Sequence, residues 1–143
     1  MADITLPGAG GGPGPTVQVD PAIAAQAQAL LTGQPPAVVV PPGGNAPPTG
    51  IPATLLFQGA PGGPVAPSWQ TPAPVIVFGG TAPVVVNTSW TSQAIISNAS
   101  ALTLNLQGGP TTVLGGDGVV DATVAWGALS IRSGAGDDRV AVQ

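Results

Sequence analysis

Apolar side chains recur at every ninth position across residues 79–143. The seven positions are Val86, Ile95, Leu104, Val113, Ala122, Ile131 and Val140. A second series, spaced by eighteen residues, carries small turn-forming residues. It consists of Gly79-Gly80, Ser97-Asn98, Gly115-Gly116 and Ser133-Gly134. A fixed period of turn residues and apolar residues is typical of repeat folds in which each turn of chain stacks on the one before. The sequence therefore predicts an all-β fold, a parallel β-solenoid with 18 residues per turn.

Short runs of β-branched and other apolar residues agree with this period. Each run is bounded by Gly, Ser, Asn or Pro, as strands usually are. The predicted strands cover 75–78, 83–87, 94–97, 101–106, 111–114, 119–125, 128–132 and 139–142. Within the fourth run, Leu102, Leu104 and Leu106 alternate with polar residues, which is the two-residue period of a half-buried strand. We assign residues 75–143 to the solenoid domain.

A spacing of six residues describes the same segment in a different geometry. Seven of its eight positions are apolar, and this pattern resembles the hexapeptide repeat of left-handed β-helices. The positions are Val84, Trp90, Ile96, Leu102, Gly108, Leu114, Val120 and Trp126. A turn of that fold also takes eighteen residues, so the two spacings predict different cross-sections, a β-roll or a β-helix, of one class of solenoid.

Residues 1–74 have a different composition. Most of the 18 prolines lie there, and proline fixes φ and removes a backbone donor, so the segment predicts an extended arm. One short helix is expected at residues 21–32, with Pro21 at its first position and Gly33 beyond its end. Its apolar face would consist of Ile23, Ala27, Leu30 and Leu31. The apolar runs 38–40 and 55–57 indicate that the arm lies along a surface rather than free in solvent.

The composition excludes several functions. The chain has no His and no Cys, which removes zinc sites, thiol nucleophiles and the Ser-His-Asp triad. Only two basic residues are present, whereas binding the phosphate backbone of nucleic acid needs several. No stretch is long and apolar enough for a membrane span, and the first residues lack the basic start and apolar run of a secretory signal. Carboxylate and carbonyl oxygens remain, and these ligands suit calcium.

The turn at Ser133–Ala141 reads S-G-A-G-D-D-R-V-A and resembles the nonapeptide G-G-x-G-x-D-x-U-x of RTX (hemolysin-type) calcium-binding repeats. Eighteen residues earlier, Gly115–Thr123 keeps the three glycines but has Val120 in place of the acid. This resemblance implies a parallel β-roll with Ca²⁺ between successive turns and export through a C-terminal signal. In that geometry the glycines allow turns with positive φ, and their carbonyls face the cation. The metal ligands it implies are Asp117, Asp121, Asp137 and Asp138, with the carbonyls of Gly116, Gly134 and Gly136.

No set of residues in the sequence forms a catalytic constellation or a recognisable small-molecule site, so we predict a non-enzymatic protein. Trp69, Trp90 and Trp126 are expected to be core or assembly anchors.

The last repeat breaks off within a turn at Gln143, and an uncovered solenoid end predicts a longer chain or end-to-end assembly into a homo-oligomer or polymer. The sequence thus favours a self-assembling adhesin, surface-layer or filament component at the cell surface or outside the cell. The alternative is a viral capsid decoration or tail-associated protein whose arm wraps a neighbouring subunit.

Overall fold

The computed structural model describes residues 2–8, 13–19, 21–31, 37–41, 43, 54–59, 75–80, 82–88, 93–98, 100–106, 111–115, 118–124, 129–132 and 139–142. Within these ranges the chain forms one helix and twelve strands. The helix, α1, covers Pro21–Leu31. The strands are β1 Ala2–Pro7, β2 Pro13–Val19, β3 Ala37–Val40, β4 Thr54–Phe57, β5 Val75–Phe78, β6 Val84–Thr88, β7 Gln93–Ser97, β8 Ala101–Leu106, β9 Thr111–Gly115, β10 Val119–Val124, β11 Leu129–Arg132 and β12 Arg139–Val142.

Ten of these strands form two all-parallel sheets. Sheet I has six strands in the order β11-β9-β7-β5-β4-β3, and sheet II has four in the order β12-β10-β8-β6. From β5 onward, successive strands along the chain enter the two sheets alternately. One strand of each sheet therefore makes one turn, which we call a rung, and rungs stack by parallel pairing. This is the predicted parallel β-solenoid, and all eight strands predicted for residues 75–143 are present with ends shifted by at most one residue.

The apolar positions spaced by nine form two columns, one in each sheet. In sheet II, Leu104 pairs with Val86 on one side and with Ala122 on the other, and Ala122 pairs with Val140. In sheet I, Val113 lies between Ile95 and Ile131 in the same way. Each of these pairs joins residues eighteen apart. The columns face each other in the interior, where five of the seven side chains belong to one core cluster and Ile131 packs against it. All seven predicted inward positions are thus confirmed as stacked columns.

The apolar residues spaced by six do not all face the interior of the solenoid. Of its described positions, Leu102 and Val120 belong to the interior core, whereas Ile96 and Leu114 lie on the opposite, outer face of sheet I. The reason is that the nine-residue half-turn, and not a six-residue third, brings the chain back to an equivalent strand position. The described strands accordingly form two stacked parallel sheets.

Sheet I extends into the proline-rich segment that the sequence analysis assigned to the arm. Leu55 of β4 pairs with Val38 of β3 and with Ile76 of β5, so β3 and β4 both continue the interior column of sheet I. Ala37 pairs with Thr54, 17 residues on, and Thr54 pairs with Val75, 21 residues on. With the 19-residue step from Val75 to Ala94, these unequal spacings explain why the eighteen-residue period of sheet I ends at β7. Phe57 and Phe78 stack in the adjoining column with ring centroids 5.2 Å apart.

The N-terminal hairpin and helix cover the outer face of sheet I. Strands β1 and β2 pair antiparallel, and α1 packs against β1 and β9. The predicted helical face is confirmed, since Ile23, Ala27 and Leu31 are buried and Leu30 is partly buried. They join a second apolar cluster with outward-facing residues of sheet I. Those residues are Leu56, Val75, Val77, Ala94, Ile96 and Leu114.

The central strands of sheet I are therefore buried on both faces, which accounts for their unbroken apolar runs. Strands β4 and β5 show this directly, since every one of their side chains is buried. Sheet II, by contrast, has buried side chains inside and mostly polar ones outside. In the described part of the chain, no helix has the length and hydrophobicity needed to cross a lipid bilayer.

Candidate functional site

Most of the predicted calcium ligands lie outside the described residues. These are Asp117, Asp137 and Asp138 and the glycines Gly116, Gly134 and Gly136. The fourth acid, Asp121, lies on β10 with its side chain exposed on the outer face of sheet II. It is paired in register with Thr103 on one side and with Arg139 on the other. Opposite charges at directly adjacent positions favour this register over a slipped one.

The described carboxylates are Asp3 on β1 and Asp121 on β10. Within the described ranges, no three Asp, Glu, His or Cys side chains come together in a group that could hold a metal ion. The calcium site therefore stays a prediction that depends on the turns at 116–117 and 133–138. The predicted anchors Trp69, Trp90 and Trp126 also lie outside the described residues.

The small turn residues at the end of the sheet I strands do stack between rungs. The Gly79 amide donates to the Phe57 carbonyl at 2.9 Å, and the Asn98 amide donates to the Phe78 carbonyl at 3.0 Å. Further along, Ser97 pairs with Gly115 as the eighteen-residue series predicts. Gly79 aligns with Asn98 rather than with Ser97, because the step from β5 to β7 is one residue longer, as the pairing of Val75 with Ala94 shows. We call this stack of turns the sheet I corner.

Gly80 permits a close approach of two backbones at the sheet I corner. A Cβ atom at Gly80 would lie 3.0 Å from the Cα of Gly59 and 3.3 Å from the carbonyl oxygen of Gln58. Neither Gly79 nor Gly80 has the positive φ that the sequence analysis expected of turn glycines. The requirement at Gly80 is therefore lateral space between rungs, and not a left-handed backbone conformation.

Two side-chain amides hold β1, β2 and α1, which we call the N-terminal unit, in place: one attaches the unit to the solenoid, and the other covers the edge of β1. The Asn98 Nδ2 donates to the Gln18 carbonyl on β2 at 2.5 Å and lies 3.5 Å from the Gly79 carbonyl. On the helix, the Gln28 Oε1 accepts from the Thr5 amide at 2.9 Å, and its Nε2 donates to the Thr5 carbonyl at 3.0 Å. Gln28 thus binds the backbone of β1 as a neighbouring strand would. Sequence patterns gave no signal for either contact, because both join segments distant in sequence.

The outer face of sheet II is exposed and mostly uncharged. Asn105 donates to the Asn87 side chain one rung away at 2.7 Å. Val85 and Val119 are exposed on the same face, at 37% and 38% of their surface. The stacking of rungs by itself places side chains at regular intervals on this face. Their regular spacing is therefore not evidence of a ligand-binding site.

Two grooves lie between the N-terminal unit and sheet I. The larger, of about 480 Å³, runs between α1 and the last strands of sheet I. We call it the α1 groove; its lining residues are Gln26, Ala29, Leu30, Thr112, Leu114, Ser130 and Ile131. The smaller, of about 300 Å³, lies beside β2 and is lined by Thr16, Val17, Gln18, Leu56, Gln58 and Gly79. The described lining of both grooves is uncharged.

The stacked columns end in exposed apolar residues. Val140 is 54% exposed, although Val86, Leu104 and Ala122 in the same column are fully buried. At the β3 edge of sheet I, which is the opposite end of the solenoid, Val39 is 42% exposed, while its register partner Leu56 is buried. Among the described strands of the two parallel sheets, the four edge strands β3, β6, β11 and β12 each pair on one side only. Comparisons of the chain with protein-family models, with curated proteins and with solved structures find no match.

Proposed function

We propose that this protein is a non-enzymatic structural component that assembles by stacking rung on rung, as part of an adhesin, surface layer or filament at the cell surface or outside the cell. The observation that carries the proposal is the exposed end of the interior column at Val140. Leu104 and Ala122 are buried between two register neighbours, and Val86, which pairs with Leu104 alone among the described strands, is buried as well. Val140 has one register partner among the described strands, and a further rung would bury it.

The physical driving force for such stacking is that of the solenoid itself. Each added rung buries apolar side chains, at about 25 cal/mol per Å² of apolar surface, and pairs backbone groups that an edge strand leaves open. Because the eighteen-residue register is constant from β7 onward, the exposed edge matches another rung of the same kind. The low charge of the chain, with six acidic and two basic residues, presents little electrostatic repulsion to stacking.

Calcium is the second part of the proposal. The turn at 133–141 supports it through its Gly and Asp pattern, and we propose that Asp137 and Asp138 bind Ca²⁺ together with backbone carbonyls. Hard oxygen ligands of this kind suit calcium, and a cation between turns would neutralise acids that stacking brings together. The RTX-like resemblance and the two stacked parallel sheets support this interpretation of the sequence at 133–141.

The assembly proposal is tested by placing a charge at the end of the column. Val140→Asp should hold the full chain at its monomer mass of 13.7 kDa, because a carboxylate there would be buried without a partner in the stacked form. Ala141→Asp is the matched control, since Ala141 is the next residue on the same strand and lies in the outer column with Asn87 and Asn105. Light scattering across a range of concentrations measures the mass. A wild-type chain that stays monomeric at every concentration would refute the proposal.

A further inference from the structure

The two ends of the solenoid differ in how well the interior is shielded from solvent. The edge strands are β3 and β6 at one end and β11 and β12 at the other. On β3 and β6, the inward-facing Val40 and Val86 are 1% and 0% exposed. On β12, the inward-facing Val140 is 54% exposed, and Ile131 on β11 is only partly buried. We therefore call the β3/β6 end the closed end and the β11/β12 end the open end.

The strand order makes the open end level and the closed end stepped. Strands β11 and β12 belong to the same rung, so both described sheets stop at the same level at the open end. At the closed end, sheet I continues past the rung of β5 and β6 through β4 and β3. The inward-facing Val40, Leu55 and Phe57 on these two strands belong to the same core cluster as Val86. This step limits how a second copy can meet the closed end.

The step prevents a second copy from stacking head to tail with both described sheets paired. If β12 of one copy paired with β6 of the next, β11 would need the edge of β5, which β4 already occupies. If β11 instead paired with β3, a gap of two strand positions, each about 4.8 Å wide, would separate β12 from β6. Either joint would pair one sheet and leave the edge of the other open.

We propose that two copies of this chain join through their open ends about a two-fold axis. The open end of each copy is covered by the open end of the other, and both sheets continue across the joint. The inference rests on the proposed function, because it takes Val140 as the stacking surface, and it adds which surface covers Val140. A two-fold contact between identical surfaces is closed, so it produces a dimer and not a filament.

The two-fold axis makes the pairing at the joint antiparallel, although the strands within each sheet are parallel. Strand β12 pairs with β12 of the second copy, and β11 pairs with β11. With Val140 opposite its own counterpart, the inward side chains of both copies face the same interior. Arg139 then lies opposite Ala141 of the second copy, so no like charges are directly opposed, as they would be with Arg139 at the centre.

A single cysteine tests the symmetry of the joint, because the chain contains no other. Opposite residues of an antiparallel pair have Cα atoms about 4.5–5.5 Å apart, which is within the range of a disulfide. Mild oxidation of Val140→Cys should therefore give a covalent species of twice the monomer mass of 13.7 kDa on a nonreducing gel. Val39→Cys is the matched control, since Val39 is an exposed valine on the edge strand of the closed end, and it should stay uncross-linked. Circular dichroism melts confirm that both variants are folded.

Sedimentation equilibrium of the wild-type chain gives the second result. Its mass should rise with concentration and stop at twice the monomer mass. The inference is overturned, and the proposed function is left standing, if the mass continues to rise past the dimer or if an assembled Val140→Cys chain does not cross-link to itself. Cross-linking of Val39→Cys to the same extent as Val140→Cys also overturns it. A wild-type chain that stays monomeric at every concentration overturns both the inference and the proposed function.

Discussion

At the scale of single residues, the sheet I corner shows that a turn glycine can be required for space rather than for backbone conformation. We predict that Gly80→Ala destabilises the fold by about 1–3 kcal/mol, the usual cost of overpacking, because its methyl group would lie against the backbone of residues 58 and 59. Backbone atoms cannot move aside as the far end of a flexible side chain can. Urea denaturation measures the change in unfolding free energy.

Gly79→Ala is the internal control for that experiment. The nearest atom to its added methyl group would be the Val17 Cγ1 at 3.5 Å, an ordinary van der Waals contact. This variant should therefore cost clearly less than Gly80→Ala. Equal losses at the two positions would show that backbone entropy, and not the approach of neighbouring rungs, determines the preference for glycine.

Asn98 provides a second test at this scale. Asn98→Ala removes the bond to the Gln18 carbonyl and should lower the unfolding free energy by about 1 kcal/mol. Both bonds are exposed, but Asn105→Ala removes one between strands that stay paired through their backbones, so it should cost less. Hydrogen exchange distinguishes the two further, since only Asn98→Ala should speed exchange of the β1–β2 hairpin. Unchanged exchange there would contradict a role for Asn98 in attaching the hairpin.

At the scale of elements, the N-terminal helix both covers sheet I and completes the edge of β1. Gln28→Ala should lower the unfolding free energy by about 1–3 kcal/mol, because two backbone hydrogen bonds to Thr5 are lost. Gln26→Ala, on an exposed position of the same helix, should leave stability nearly unchanged. Thermal melts of the two variants give the comparison, and equal melting temperatures would contradict the assigned role of Gln28.

The elements also show how far the sequence alone determines this fold. The strands from β5 to β12 could be predicted because a constant period places Leu104 between Val86 and Ala122. The helix could be predicted because Pro21 and the spacing of Ile23, Ala27 and Leu31 are local signals. The pairing of β3 and β4 with β5 could not, since loops of unequal length destroy the period. The burial of both faces of sheet I depends on contacts between distant segments, for which local patterns carry no signal. The β1–β2 hairpin is local, with Pro7 opposite Pro13, but prolines within both strands argue against a strand assignment.

At the scale of the whole molecule, calcium is expected to stabilise the solenoid through the turn at 133–138. At a free calcium concentration one hundred times the Kd, binding would add about 2.7 kcal/mol to the stability of the folded chain. A chelator should therefore lower the melting temperature of wild type. The double variant Asp137→Asn/Asp138→Asn should melt at the chelated temperature with or without calcium. Asp3→Asn, which alters an exposed acid on the hairpin, should respond to chelator like wild type. A wild-type melting temperature that chelator does not change would remove calcium from this account.

The stacking of equivalent residues eighteen apart is the central claim, and disulfide cross-linking tests it most directly because the chain contains no cysteine. Residues 87 and 105 occupy adjacent rungs, where Cα atoms about 4.8 Å apart are within the range of a disulfide. Residues 87 and 123 are two rungs apart, about 10 Å, which is beyond that range. Mild oxidation of the monomer should thus cross-link Asn87→Cys/Asn105→Cys and leave Asn87→Cys/Thr123→Cys reduced. Cross-linking of the second pair and not the first would contradict the solenoid register.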